Sequence, residues 1–117
     1  MYSERLLEHF QNPRNMGELD GALVVEVENP ACGDVLRLSA RVERGYVAEV
    51  RYKVRGCTAS IACGSALTEI LLGMGAIELS GVDAGRIESA VGGLSPESRH
   101  AAVLCADAVA ALRRTLA

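Results

Sequence analysis

The sequence is poor in aromatic side chains and lacks the features of several functional classes. Its 117 residues include no Trp, three Tyr and one Phe. The core must therefore be built from Leu, Val, Ile and Ala. No apolar run approaches the ~20 residues that a transmembrane helix needs. The 12 basic and 15 acidic residues give a net charge of −3, which argues against nucleic acid as a partner because its binders carry a basic face.

The length and composition are those of one folded domain. At about 100–200 residues per domain, the chain predicts a single domain over residues 1–117. Half of the residues are hydrophobic and 23% are charged, which argues against disorder. Charges stand where a signal peptide needs an apolar stretch, so we expect a cytoplasmic protein with reduced thiols. In that compartment the four cysteines indicate metal binding or reactivity rather than disulfides.

The spacing of apolar residues predicts strands followed by helices. Alternating and β-branched residues predict strands over residues 23–27, 35–42 and 47–54, the last two joined by a hairpin at 43–45. Helical spacing predicts helices over residues 3–11, 60–74, 82–91 and 96–114. On the last helix, the residues predicted to face inward are Val103, Leu104, Ala108, Ala111 and Leu112. This order indicates an α+β fold, a three-stranded antiparallel sheet with helices packed on one face.

Two cysteines occupy positions that a role in the core explains poorly. Cys32 stands in Pro-Ala-Cys-Gly-Asp between two predicted strands, where the flanking glycine leaves the thiol accessible. Asp34, two residues further on, can reach the same ion. Cys57 follows the third strand and precedes a helix, and a helix N-terminus makes a thiol more nucleophilic. Two thiols at strand ends on one sheet edge can converge on a common site.

An imidazole completes a set of metal-ligating groups. His100 lies near the start of the last helix, and thiolates, imidazole and carboxylate together suit a tetrahedral site for zinc or ferrous iron. Cys32 and Cys57 are much further apart than the cysteines of a zinc finger, so the fold must assemble the site. Cys63 and Cys105 share helical faces with apolar residues, which favours core positions. Both can still point into a site where the two helices meet the sheet.

Four segments resemble the motifs of one family, in order and over essentially the whole chain. They read YSE…HFQNPRNMG over 2–17, NPACGDV over 29–35, GCTASIA…SALTE over 56–69 and H..VL..DA over 100–108. Together these motifs resemble the IscU/NifU-type iron–sulfur cluster scaffold family, and the combination is far more specific than any single motif. By this resemblance the ligands are Cys32, Asp34, Cys57 and His100.

The resemblance implies a scaffold or carrier rather than an enzyme. In such a scaffold, a cysteine desulfurase delivers persulfide sulfur to a site thiol, and iron and electrons arrive. A transient [2Fe–2S] cluster forms and then passes to apo-proteins. A ferredoxin and an iron donor are further partners that this implies. Accessible thiolates accept sulfur by exchange, and a carboxylate ligand keeps the cluster labile. Zinc also enters thiolate and imidazole sites readily, so zinc found in purified protein would be weak evidence about the function.

The chain departs from the family pattern at the third cysteine. The family's third Cys directly follows the His, whereas this chain has Ala101 there. The nearest thiol, Cys105, lies four residues on, one helical turn along the same face. Cys63 replaces a position that is usually Ser in the family. We therefore consider Cys105 and Cys63 as candidates for the missing metal ligand, with buried filler as the alternative for each.

A second departure concerns the segment that a dedicated Hsp70-type chaperone recognises in the family. The family motif Leu-Pro-Pro-Val-Lys is replaced by LSPES at residues 94–98. Leu94 and Pro96 remain, but the first Pro, the Val and the Lys are absent. We expect this loss of an apolar, basic peptide to weaken recognition by such a chaperone.

Two other functions compete with the scaffold interpretation. One is a zinc-dependent sulfurtransfer partner of a desulfurase, as in the SufU-type branch of the family. That branch generally has an insertion before its last Cys and a basic residue in place of the His, and this chain has neither. The other is a degenerate paralogue with a structural zinc or an iron-sensing site, for which Ala101 is the main argument.

Overall fold

The computed structural model describes residues 2–116. The helices over this range are α1 (Glu4–Gln11), α2 (Thr58–Leu71), α3 (Ala84–Ala90) and α4 (Arg99–Leu116). The strands are β1 (Leu23–Glu28), β2 (Val35–Glu43) and β3 (Tyr46–Arg55). Short 3-10 helices cover Ala76–Gly81 and Pro96–Ser98. The predicted fold class is confirmed, because the strands form one antiparallel sheet on which the helices pack.

The sheet has the order β1-β2-β3, and its inner face forms half of the core. Leu36 and Leu38 of β2 are fully buried, whereas Val35 and Arg37, on either side of Leu36, are partly exposed. This alternation follows from the two-residue period of a strand. At the β2–β3 hairpin, Arg44 and Gly45 have φ of 55° and 81°. The hairpin predicted at residues 43–45 is thus confirmed, and its two turn residues have the left-handed conformation that matches the twist of a hairpin.

Helix α2 occupies the centre of the molecule. Ten of its 14 residues are buried, and most of these are small. It packs against α1, β3 and α4, so it is covered on several sides. Small side chains allow this close approach: a Cβ at Gly64 would lie 2.5 Å from the ring of Tyr52. Because its N-terminus follows directly on β3, α2 also determines where the end of the sheet meets the helices.

The N-terminal segment attaches to the centre of the fold through hydrogen bonds. The hydroxyl of Ser65 on α2 accepts a bond from the Arg14 N–H at 2.9 Å and lies 2.7 Å from His9 Nδ1. Further along, Tyr52 N–H donates to the Asn15 carbonyl at 2.9 Å, which pairs the segment with the free edge of β3. The segment after α1, which reads as a break in the helical pattern, is therefore anchored on both α2 and the sheet.

The structure corrects three details of the sequence prediction. Helix α2 begins at Thr58 rather than at residue 60, and α4 begins at Arg99 after a 3-10 turn that contains Pro96. The prediction that Val103 faces inward is wrong, because this side chain is 46% exposed. The buried stripe of α4 follows 101, 105, 108 and 112, and position 103 lies on the opposite side of that turn. In the described part of the chain, no helix is both long and apolar enough to span a bilayer.

Candidate metal centre

Three separate parts of the chain meet at one end of the sheet. Cys32 lies in the β1–β2 loop, Asp34 directly precedes β2, and His100 lies in the first turn of α4. The Cys32 Sγ, a carboxylate oxygen of Asp34 and a ring nitrogen of His100 all lie within 4.8 Å of one another. A single metal ion can reach donor atoms that are this close together.

Cys57 joins this cluster from the start of α2. Its Sγ lies 3.5 Å from His100 Nε2. It occupies the N-cap position of α2, and its backbone N–H points to Asp34 Oδ2 at 3.4 Å. The structure therefore brings together all four residues that the family resemblance implies as ligands.

Asp34 is 8% exposed and is held by several hydrogen-bond donors. Its Oδ2 accepts a bond from the Ser60 hydroxyl at 2.6 Å, in addition to the Cys57 N–H. Burial alone would raise the pKa of the Asp34 carboxyl, but the hydrogen bonds from Ser60, Cys57 and Cys32 outweigh it, so the pKa lies below its ordinary value. The carboxylate is consequently charged at neutral pH, as a metal ligand must be.

A backbone carbonyl sets the orientation of His100. Its Nδ1 lies 3.0 Å from the carbonyl oxygen of Glu97, to which it donates when it carries the proton. That bond directs Nε2 towards the cluster, where it lies 3.6 Å from Asp34 Oδ2. Histidines that bind metals commonly donate their second ring N–H to a carbonyl in this way.

The other two cysteines lie in the core. Cys63 is 0% and Cys105 is 1% exposed. Burial, together with the nearby Cys57 and Glu88, raises the pKa of the Cys63 thiol to about 12. Burial likewise raises the pKa of Cys105 well above its ordinary value. Metals bind the thiolate, so both cysteines are placed unfavourably for ligation. Their role as replacements for the family thiol missing at Ala101 stays a prediction.

Ser60 is a member of this site that the sequence analysis did not single out. It is 1% exposed, and its hydroxyl contacts both the Asp34 carboxylate and the Cys57 Sγ, the latter at 3.4 Å. A serine in the first turn of a helix has no distinctive spacing, and its contact with Asp34 joins residues that are 26 positions apart. The only local indication of a role for Ser60 is its spacing of three residues from Cys57, which puts the two side chains on the same helical face.

The donor set fits a metal of intermediate softness. Two thiols, a carboxylate and an imidazole are ligands that Zn²⁺ and Fe²⁺ share. Solvent can reach this group of side chains because Cys32 is exposed, whereas Asp34 and Ser60 form its buried side. Fold and side chains together define a small α+β domain with a candidate thiolate–carboxylate–imidazole metal site at the end of its sheet.

The chain belongs to the family of NifU-like N-terminal domains, whose family model matches residues 1–114. It is 36% identical to the iron-sulfur cluster assembly scaffold protein IscU 1 of Archaeoglobus fulgidus, over 99% of this chain and 74% of that protein. It is also 36% identical to the scaffold protein IscU of Azotobacter vinelandii, over 97% and 91% of the two chains. The zinc-dependent sulfurtransferase SufU of Bacillus subtilis is 34% identical over 62% of this chain and 50% of that protein.

Solved structures have the same fold. The N-terminal NifU-like protein of Brucella abortus superposes with a TM-score of 0.77 at 24% identity, over 97% of this chain and 92% of that one. A putative SUF-system scaffold protein of Fervidobacterium islandicum gives a TM-score of 0.78 at 18% identity, over 94% of each chain. At these identities the likeness concerns the fold alone.

Proposed function

We propose that this protein is a scaffold on which a labile [2Fe–2S] cluster is assembled from desulfurase-derived sulfur and iron and then transferred to apo-proteins. The observation that carries this proposal is the meeting of Cys32, Asp34, Cys57 and His100 at an accessible end of the sheet. The names of the relatives support it, since two of them are called iron-sulfur cluster assembly scaffold proteins. In this role the cluster is cargo, and the protein itself performs no turnover.

Sulfur enters this site most directly at Cys32. A thiolate there attacks the outer sulfur of the desulfurase persulfide, the sulfur–sulfur bond breaks, and the donor cysteine leaves as a thiolate. Cys32 is exposed on its loop, whereas Cys63 and Cys105 are buried beyond the reach of another protein's cysteine. Because Ala101 stands where the family has its third thiol, Cys57 is the remaining alternative acceptor. Iron and electrons come from an iron donor and a ferredoxin.

The carboxylate accounts for release of the cargo. Clusters that are to be kept are held by thiolates, and a carboxylate oxygen is a poorer ligand for a cluster iron than a thiolate sulfur. Asp34 remains charged through its hydrogen bonds, so it can bind iron yet give way to an acceptor's thiolate. We infer that Asp34→Cys, which puts a thiolate in place of the carboxylate, slows transfer rather than assembly.

Anaerobic reconstitution with iron, cysteine and a desulfurase tests the proposal. Visible absorption reports cluster formation, and transfer to an apo-ferredoxin reports release. We expect a transferable cluster in the wild type and in Cys63→Ala, and severe loss in Cys32→Ala and Cys57→Ala. Cys105→Ala is the matched test of the replacement-ligand hypothesis: a cluster of unchanged stability in both Cys105→Ala and Cys63→Ala eliminates it. A wild-type protein that forms no cluster refutes the scaffold role.

A zinc-dependent sulfurtransfer role is the second candidate. The exposed Cys32 beside donor atoms that suit zinc favours it. This role predicts stoichiometric, tightly bound zinc and faster desulfurase turnover without a cluster. A protein that neither forms a cluster nor stimulates the desulfurase is the degenerate paralogue, with structural zinc or an iron-sensing site.

A further inference from the structure

The hydroxyl of Ser60 makes an uncommon pair of contacts. It donates to Asp34 Oδ2 at 2.6 Å, the short distance typical of an O–H bond to a charged carboxylate. The Ser60 hydroxyl oxygen also lies 3.4 Å from the Cys57 Sγ. One side chain on α2 therefore contacts two of the proposed ligands, one from the β1–β2 connection and one from the start of its own helix.

Ser60 also supplies the shortest hydrogen bond to the Asp34 carboxylate. It is 1% exposed, so water has little access to the position of its hydroxyl. The other bond to Asp34 Oδ2, from the Cys57 N–H, is longer at 3.4 Å. Loss of the Ser60 hydroxyl would leave a nearly buried carboxylate with its shortest hydrogen bond missing, which costs more than the bond itself contributes.

The end of β3 is shaped around the same carboxylate. A Cβ at Gly56 would lie 2.6 Å from both Cγ and Oδ2 of Asp34, closer than atoms approach without moving. Both the backbone at Gly56 and the Ser60 hydroxyl thus approach the Asp34 carboxylate closely. Independently of the hydrogen bond, this close contact indicates that a single orientation of Asp34 is built into the fold.

We propose that Ser60 is a positioning residue that holds the Asp34 carboxylate in its metal-binding orientation. It does not bind the metal itself. It acts through Asp34, as the hydrogen-bonding partners of ligating carboxylates do in other metal sites, where their loss costs roughly 10–100-fold in metal affinity. This inference deepens the proposed function and rests on it only in taking Asp34 as a ligand.

Co²⁺ is the probe for the test because its spectrum reports each ligand type. Thiolate-to-cobalt charge transfer reports the cysteines, and the d–d bands report the geometry of the whole ligand set. The variants are Ser60→Ala, Asp34→Ala and the double variant, titrated with Co²⁺ under anaerobic, reducing conditions. Ser65→Ala is the matched control, since Ser65 is a buried serine of the same helix whose hydroxyl bonds to His9 and Arg14 instead.

We expect Ser60→Ala to bind Co²⁺ about ten-fold more weakly than wild type. Its d–d bands should shift towards those of Asp34→Ala, while thiolate charge transfer is retained. Ser65→Ala should bind like wild type, and adding Ser60→Ala to Asp34→Ala should change nothing further. An affinity of Ser60→Ala equal to that of Ser65→Ala overturns the inference. The inference is also overturned if Ser60→Ala lowers the Co²⁺ affinity by the same factor in the wild type and in Asp34→Ala, because such a loss would be a general effect on folding.

The Co²⁺ titration and the cluster reconstitution together distinguish a failure of the Ser60 role from a failure of the proposed function. A wild-type protein that shows no thiolate–cobalt band refutes the metal centre and the role of Ser60 together. A wild-type protein that binds Co²⁺, with Ser60→Ala unaffected, refutes only the role of Ser60. A Co²⁺ site that depends on Ser60 and Asp34, in a protein that reconstitutes no transferable cluster, supports the role of Ser60 and refutes the scaffold.

Discussion

Gly56 lies where the end of β3 comes closest to the Asp34 carboxylate. Most side chains at this position would have to displace that carboxylate, since even a methyl group would approach it to 2.6 Å. Gly81 offers a contrast, because a Cβ there would meet no atom within 4 Å. At the scale of single residues, the requirement for glycine at position 56 therefore comes from the site itself.

Gly56→Ala should consequently weaken metal binding through Asp34. We expect a loss of Co²⁺ affinity comparable to that of Ser60→Ala, with destabilisation of about 1–3 kcal/mol from overpacking. Gly81→Ala is the control and should leave both properties unchanged. Urea denaturation and Co²⁺ titration measure the two effects. Unchanged Co²⁺ affinity in Gly56→Ala would contradict the tight fit around Asp34.

His9 gives the fold a dependence on pH. Burial lowers the pKa of His9 from its ordinary value of 6.5, although the Glu69 carboxylate 3.5 Å from its Nε2 acts in the opposite direction and Arg14 adds to the lowering. The folded chain thus takes up this proton less readily than the unfolded chain. Acidification below the unfolded pKa then favours unfolding, until the lower pKa of the folded state is also passed.

The free energy of unfolding should therefore decrease between about pH 7 and pH 5, where histidine titrates. His9→Gln removes the titration, so its free energy of unfolding should vary less over this range. Urea denaturation at a series of pH values measures both slopes. Equal slopes in the two proteins would show that His9 protonates equally well in the folded and unfolded states.

At the scale of elements, α2 and β3 approach each other closely in the core. The ring of Tyr52 lies against Gly64, and its hydroxyl donates to the Ile61 carbonyl at 2.8 Å. Aromatic residues are scarce, so this one ring fills the space between sheet and helix with a single large side chain. The helix can approach the sheet this closely only because position 64 has no side chain.

Gly64→Ala should destabilise the fold by about 1–3 kcal/mol or more, because a methyl group 2.5 Å from the ring forces a shift of the helix or of Tyr52. The helix propensity of Ala works in the opposite direction, by about 1 kcal/mol at most. Thermal and urea denaturation against Gly81→Ala measure the net effect. A stabilised Gly64→Ala protein would mean that the contact relaxes without cost.

Strong local signals made some elements predictable, and tertiary contacts determined the rest. The β2–β3 hairpin follows from alternation on both sides of Arg44-Gly45, and the family motifs supply Cys32, Asp34, Cys57 and His100. The predicted burial of Val103 is wrong because apolar character alone does not reveal which side of α4 faces the core. The role of Ser60 could not be predicted because its partner Asp34 comes from a different part of the chain.

At the scale of the whole molecule, the candidate site connects parts of the chain that are far apart in sequence. The loop before β2, the start of α2 and the start of α4 each supply at least one donor atom. An ion bound there holds these three elements together, and the unfolded chain cannot offer the same arrangement. Metal binding should therefore stabilise the folded state by mass action.

Zn²⁺ at a free concentration of 100 times its dissociation constant should stabilise the wild type by about 2.7 kcal/mol. The melting temperature should rise with zinc concentration and fall again when a chelator is added. Cys57→Ala should lose most of this response, whereas Cys63→Ala should keep it. Differential scanning calorimetry over a zinc series measures the effect, and an equal response in both variants would place the zinc elsewhere.

The burial of Cys63 and Cys105 has a consequence for oxidative damage. Peroxides and alkylating agents attack thiolates that they can reach, and the folded chain shields two of its four thiols from both. The reactive thiols are then those at the end of the sheet, Cys32 above all. Oxidation of the surface thiols to a sulfenic acid or a disulfide would therefore stop their chemistry while the fold stays intact, and a reductant would restore them without refolding.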